Sequence, residues 1–115
     1  MRKTGPSKAT VELVTERSGG ICERCGLGDG EQIHHRKPRG MGGTRDPAIN
    51  NPSNLLHLCS ACHMAVEVDR AQAKEQGHLV PNYGTPVSVP LLRRGRWVYH
   101  DDEGGTTRAD SHHQA

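Results

Sequence analysis

"NLLHLCSACHMAVE", residues 54–67, sets a short apolar run against a Cys-x-x-Cys pair and follows it with a histidine and a glutamate at helical spacing. Its reading depends on a matching pair upstream, "CERC" at Cys22 and Cys25. The two pairs, Cys22/Cys25 and Cys59/Cys62, account for all four cysteines of the chain. Thiolates at this local spacing can close a tetrahedral zinc site, and in a reducing cytosol zinc is favoured over disulfides. A thioredoxin-like redox role would need one pair within a βαβ pattern, and that pattern is absent. The segment between the pairs must then fold back and return the second pair to the first, so whatever it carries is held close to the zinc.

A staple is needed. The chain has 115 residues, 32% of them hydrophobic, with no Phe, one Trp and two Tyr, which is little material for a large core. Fourteen Gly and seven Pro point to a loop-rich domain rather than a helical bundle. No stretch approaches a membrane span, and the basic N-terminus lacks the apolar region of a signal peptide, so the expected compartment is the cytoplasm. The net charge of +2 excludes little. Its distribution says more, because Arg36, Lys37, Arg39 and Arg45 follow one another without an intervening acid, as suits a phosphate-bearing partner.

Working outward, Ser7 to Gly20 reads as a short amphipathic helix closed by a glycine pair. "EQIHH" reads as a strand stopped by Pro38 and the glycines after it, and "TRDPAINNPSN" as loop. Asn54–Cys62 is an apolar run entering the second cysteine pair. From Ser60, an acceptable N-cap, one helix is expected to run to Gly77. "VSVPLLRRGRWVYHDDEGG" reads as a hairpin turning at "RRG", with Pro90 confining its first strand to an edge and Trp97 and Tyr99 packing one face. The expected division is a zinc-stabilised domain over 1–77, a linker and hairpin extension over 78–103, and a disordered tail over 104–115.

The paired histidines His34 and His35 admit two metal ligands, one ligand and one base, or two surface side chains. On an extended segment they point to opposite faces. His63 and Glu67, four apart on a helix, share a face, and Cys62 points about 100° away around the axis. One helix can thus present zinc ligands on one side and a second cation site on the other. His57 is expected to be packed or at the surface, and His78 and His100 have no partners at ligand spacing. Arg93, Arg94 and Arg96 offer only charge toward a DNA surface.

The pattern "CERCG … HHRKPRGMGG … NNPSNLLHLCSACH", from about Gly20 to Glu67, resembles the HNH endonuclease family, in the subset braced by two Cys-x-x-Cys pairs and found in small stand-alone proteins of bacteriophages and mobile elements. The resemblance implies an α+β fold: a small zinc-stapled ββα-metal core with an N-terminal helix and a C-terminal β-hairpin extension. It makes His35 the general base and Asn54 the residue that fixes its orientation by bridging backbone groups of the loop. His34, His63 and Glu67 become ligands of one catalytic divalent metal, magnesium, manganese, nickel or zinc. Cys22, Cys25, Cys59 and Cys62 hold structural zinc, and Arg36, Lys37, Arg39 and Arg45 contact the DNA backbone. Asn50 and Asn51 read as ordinary turn residues. The implied activity is metal-dependent hydrolysis of DNA phosphodiesters, in which an imidazole that titrates near neutrality takes a proton from water. The alternative is a zinc-stabilised nucleic-acid-binding module without turnover, or a component of a phage packaging or restriction system that acts with a terminase or other nuclease partner. A phage-encoded protein would work in the cytoplasm of a bacterial host.

Overall fold

The computed structural model describes residues 5–38 and 47–109, and Arg39 and Arg45 lie outside them. Within these residues the chain is an α+β domain with three helices and two small antiparallel sheets. Helix α1 (Lys8–Ser18) starts where the Ser7 hydroxyl accepts the Thr10 amide and ends at Gly19, which takes the left-handed conformation that glycine tolerates. A tight knuckle carries Cys22 and Cys25, with the Cys22 amide donating to the Gly28 carbonyl and the Gly26 amide to the Cys22 carbonyl.

Strand β1 (Gln32–His35) pairs antiparallel with β2 (Leu55–Leu58), placing His34 opposite Leu56 and His35 opposite Leu55. Two 3-10 turns, Pro47–Asn50 and Pro52–Asn54, lead into β2. Helix α2 (Ser60–Val68) follows and packs against β1, which completes a ββα unit. Its cap is Cys59 rather than the expected Ser60, because the Cys59 sulfur turns inward and accepts the Cys62 amide.

The single helix expected from Ser60 to Gly77 is two. It breaks at Asp69, and the Asp69 carboxylate caps a new helix α3 (Arg70–Glu75) by accepting the Gln72 amide at 3.1 Å. An Asp that can cap three residues ahead competes with continuing the helix, and here it wins. Gly77 closes α3 at a positive φ of 80°, and a Cβ there would collide with the Pro90 carbonyl.

The C-terminal hairpin forms as β3 (Leu91–Arg93) and β4 (Arg96–His100), turning at Arg94 and Gly95, both at positive φ. Pro90 lies just outside β3, which is an edge strand as expected. The buried face of β4 is Val98 and His100, not Trp97 and Tyr99, which are only partly covered. The first part of the tail expected to be disordered from Gly104 is ordered, since Thr106–Arg108 form β5 on β4 and Ala109 is buried, and its remainder lies outside the described residues.

Nor is Gly77 a boundary in the packing. Leu79, Leu91 and Val98 share one core with Cys22, Leu56, Leu58, Cys62 and Val66. A core this small needs the hairpin as its third wall. Glu23, fully buried in the first knuckle, ties the same elements together: Arg17 of α1 grips both its oxygens at 2.8 Å, and Arg93 of β3 reaches it at 3.1 Å. The His57 amide donates to it as well. Burial works against the charge, but the contacts and charges of His100 and Arg17 outweigh it and hold Glu23 well below the usual carboxylate range. His100 Nε2 lies 3.1 Å from Glu23 Oε2, not aligned as a hydrogen bond, and the pair becomes ionic only when His100 is protonated.

Candidate metal centre and its cleft

Cys62 and His63 send their side chains into different clusters. On one side of α2 the sulfurs of Cys22, Cys25, Cys59 and Cys62 all lie within 4.8 Å of one another. A tetrahedron with metal–sulfur bonds of about 2.3 Å has sulfur–sulfur edges of about 3.8 Å. The Cys25–Cys59 separation is 3.9 Å. Amides of Arg24, Leu27 and Cys62 each donate to a cysteine sulfur at 3.4 Å, and the Arg24 guanidinium donates to Cys62 at 3.3 Å. Such donors favour thiolates. Without a cation the four cannot all be thiolates, since burial and the neighbouring cysteines push Cys62 up to about 12, and a bound metal ion would offset that crowded negative charge. The residues therefore fit a zinc ion.

On the other side, His34, His63 and Glu67 bring one ligand atom each within 4.8 Å. His34 comes from β1, and His63 and Glu67 from α2, so the pairing of strand and helix assembles the set. The His34 and His63 rings meet edge to face with centroids 5.5 Å apart. His34 is buried, and its Nε2–H donates to the His78 carbonyl at 2.8 Å. A carbonyl only accepts, so the neutral ring keeps Nδ1 unprotonated for a cation. This is how metal-binding histidines are commonly oriented. Burial lowers His34 to about 4, which keeps it neutral at pH 7. His78, set aside in the sequence, thus fixes the ring. It is pinned in turn by its own Nε2–H to the Leu92 carbonyl at 2.7 Å.

His35 points to the other face of β1 and lines the same cleft, of about 370 Å³, as His34, His63 and Glu67. Its Nε2 lies 2.8 Å from Asn50 Oδ1. With the amide oxygen accepting, Nε2 carries the proton and Nδ1 is the basic nitrogen. Asn50 is therefore no ordinary turn residue. Asn54 sets the frame around His35 through the loop backbone, accepting the Lys37 amide at 2.7 Å and donating to the Ile49 carbonyl at 2.8 Å and the Lys37 carbonyl at 3.2 Å. It holds the residue before Asn50 and the residue two beyond His35 on one amide. Nothing in the local pattern "AINNPSN" tells Asn50 from Asn51, whose side chain instead reaches Asp102.

The expected DNA contacts divide. Arg36 is fully buried and gives its donors to the carbonyls of Gly77, Ser53, Pro86 and Val89, so it cannot meet a phosphate. Strand alternation sends it to the same side as His34, into the body of the domain. Burial pulls it down to about 9, which still leaves it charged at neutral pH. Lys37 is half-buried with its ammonium 3.2 Å from the Gly84 carbonyl. Arg93 and Arg94 are also spent internally, Arg94 on the carbonyls of Ser18, Ile21 and Cys22. Arg96 is exposed. His57 is half-buried and bonded to Ser18.

Residues 22–68, the stretch that holds both clusters, match the family model described as HNH endonuclease. Over that stretch the chain is similar to this family, one of metal-dependent nucleases, and the fold agrees: two strands and a helix around the His/Glu set, with a four-cysteine cluster that can hold zinc. Neither the curated proteins nor the solved structures compared with the chain gave a match. No helix among the described residues is long and apolar enough to cross a membrane.

Proposed function

We propose that the chain is a metal-dependent DNA endonuclease, with structural zinc on Cys22, Cys25, Cys59 and Cys62 and one catalytic divalent cation on His34, His63 and Glu67. The observation that carries this is the convergence of three ligand atoms within 4.8 Å in a cleft that also presents His35. A divalent cation bound there would offset charge on the phosphate and on the departing oxygen. His35 Nδ1 takes a proton from water, whose oxygen attacks phosphorus. The bond from phosphorus to the 3′ oxygen breaks, and that oxygen leaves with a proton from solvent, giving a 3′ hydroxyl and a 5′ phosphate. Asn50 holds the ring so that Nδ1 faces the cleft, and Asn54 keeps Asn50 in place. Four cysteines gathered as zinc ligands rather than paired as disulfides suit the cytoplasm.

Plasmid nicking tests the reading, with wild type beside His35→Ala and His63→Ala and with magnesium, manganese or nickel added back after chelation. Zinc content is followed on the same samples. Only wild type should convert supercoiled DNA, and only with added cation while zinc stays bound. Full activity in His35→Ala removes it as base. If no protein cuts but all bind DNA, the domain is a binding module or works only with a partner such as a phage terminase.

A further inference from the structure

The metal cleft does not end at Glu67. Arg70 lines it and also lines an adjoining depression of about 260 Å³ that runs past Lys74 to Asn82, with Pro38 and Leu79 common to both. The two hollows form one groove, and Arg70 stands where they join. It sits at the first position of α3 because Asp69 breaks the preceding helix and caps the next, and Lys74 of the same helix lines the second hollow with it.

Arg70 and Lys74 are four apart and so share one face of α3, with Cβ atoms about 6 Å apart. Both are exposed. They differ in this from Arg17, Arg36, Arg93 and Arg94, which spend their donors inside the protein. Arg70 Nη1 donates to Glu67 Oε1 at 2.9 Å, between side chains that are each about half exposed. Glu67 is also in the candidate metal set. A carboxylate that turns toward a cation loosens its hold on Arg70, and the guanidinium is then available beside the site.

We propose that Arg70 and Lys74 form a phosphate-binding subsite continuous with the metal cleft, which holds the backbone of the cleaved strand next to the scissile bond. This rests on the nuclease reading of the cleft. The occupant is the backbone of one nucleic-acid strand, because the hollow that Arg70 and Lys74 line adjoins the His/Glu cleft and flexible basic side chains one turn apart reach phosphates without reading bases. Asn82, at the far end, offers an amide to sugar or phosphate oxygens.

The test uses full-length protein and a fluorescein-labelled oligonucleotide duplex. Arg70→Gln/Lys74→Gln, made in the wild type and in a His35→Ala background, is compared with its parents. Zinc content and thermal melting should match the parents, since both side chains are exposed. Binding is followed by anisotropy over a salt series in the His35→Ala background without added catalytic cation. The plot of log K against log salt should become shallower by about one per lost contact, and affinity should fall about tenfold or more near physiological salt. In cleavage with added cation the loss should fall chiefly on KM. If wild type cuts but the double substitution changes neither salt slope nor KM, the subsite is overturned and the nuclease reading stands. If wild type does not cut yet the salt slope falls as expected, the nuclease reading fails and the phosphate subsite stands.

Discussion

Cys62 and His63 are neighbours in the chain, yet they serve clusters built in opposite ways. The cysteine cluster is walled by the knuckle, by β2 and by amides aimed at its sulfurs, and two of its four members are buried. The His/Glu cluster grades from buried His34 through half-buried His63 to exposed Glu67 and faces a cleft. A structural metal gains from a closed shell of four protein ligands, whereas a catalytic one needs open positions for water and substrate. The more closed cluster and the more open one flank the same helix.

The sharpest way to break that contrast is to remove one ligand from each. Cys62→Ala should lose zinc and cooperative folding together, because structural zinc contributes about 10–16 kcal/mol, as much as or more than the ~5–15 kcal/mol by which a domain is stable. His63→Ala should keep both zinc and a sharp melt while cleavage disappears. Zinc analysis and circular-dichroism melts of the two proteins decide it. A cooperative, zinc-free Cys62→Ala would mean that the hydrophobic core and the Glu23 network hold the domain without the staple.

The arginines repeat the contrast within one residue type. Arg36→Ala leaves the Gly77, Ser53, Pro86 and Val89 carbonyls without their donor and opens a cavity, and should cost at least about 3 kcal/mol. Arg70→Ala, at an exposed ion pair, should change stability by less than about 1 kcal/mol. Urea midpoints at constant zinc measure both. Equal effects would show that burial does not separate the two roles.

How far the sequence reaches is visible in these same residues. The cysteine pairs and the shared face of His63 and Glu67 follow from short-range spacing, because a zinc knuckle and a four-residue helical step are local facts, whereas the ββα unit and the place of His34 beside that face came from the resemblance to the HNH family. The fate of a charge is not local. "HHRKPR" looks like a phosphate loop, yet Arg36 takes the inward position of an alternation that began at His34. Its partners come from the loop before β2, the end of α3 and the turn before β3, and no window of sequence contains them. The roles of Glu23, His78 and His100 were hidden for the same reason. Asp69 is a different case: an Asp followed three residues later by Gln72 was a legible cap signal, outweighed in the reading by the absence of Pro and Gly.

Buried histidines give the next comparison, between the protein above and below pH 6.5. Burial lowers both His78 and His100 from 6.5 to about 4. The unfolded chain therefore binds protons that the native chain refuses as pH falls from 6.5 toward 4, and stability drops over that window. Above 6.5 neither group contributes a slope. Glu23 acts in the same direction lower down, since the stability it adds is present above the ordinary carboxylate range and is lost as pH falls below it. The expected slope approaches about 1.4 kcal/mol per pH unit for each histidine. Urea titrations at pH 7.5, 6.5 and 5.5, with zinc content checked throughout, should show it, and His100→Gln should make it shallower. A flat profile would mean that these rings take up protons as readily in the folded protein as in the unfolded chain.

The smallest effects separate Asn50 from Asn51. Asn50 supplies the acceptor that holds His35, whereas the Asn51 side chain reaches Asp102, at 3.4 Å. Asn50→Ala should lower kcat roughly tenfold, about 1.4 kcal/mol of barrier, because His35 remains present but is free to rotate and change tautomer. Asn51→Ala should change it less than about twofold. Loss of kcat alone would not distinguish positioning from a damaged fold, so the decisive variant is Asn50→Asp. A carboxylate still accepts from His35 Nε2 and should recover much of the rate. A negative charge beside the ring also favours the imidazolium, which should move the acidic limb of the pH–rate profile to higher pH. Recovery with an unshifted limb would place Asn50 in the loop framework and leave another group to orient the base.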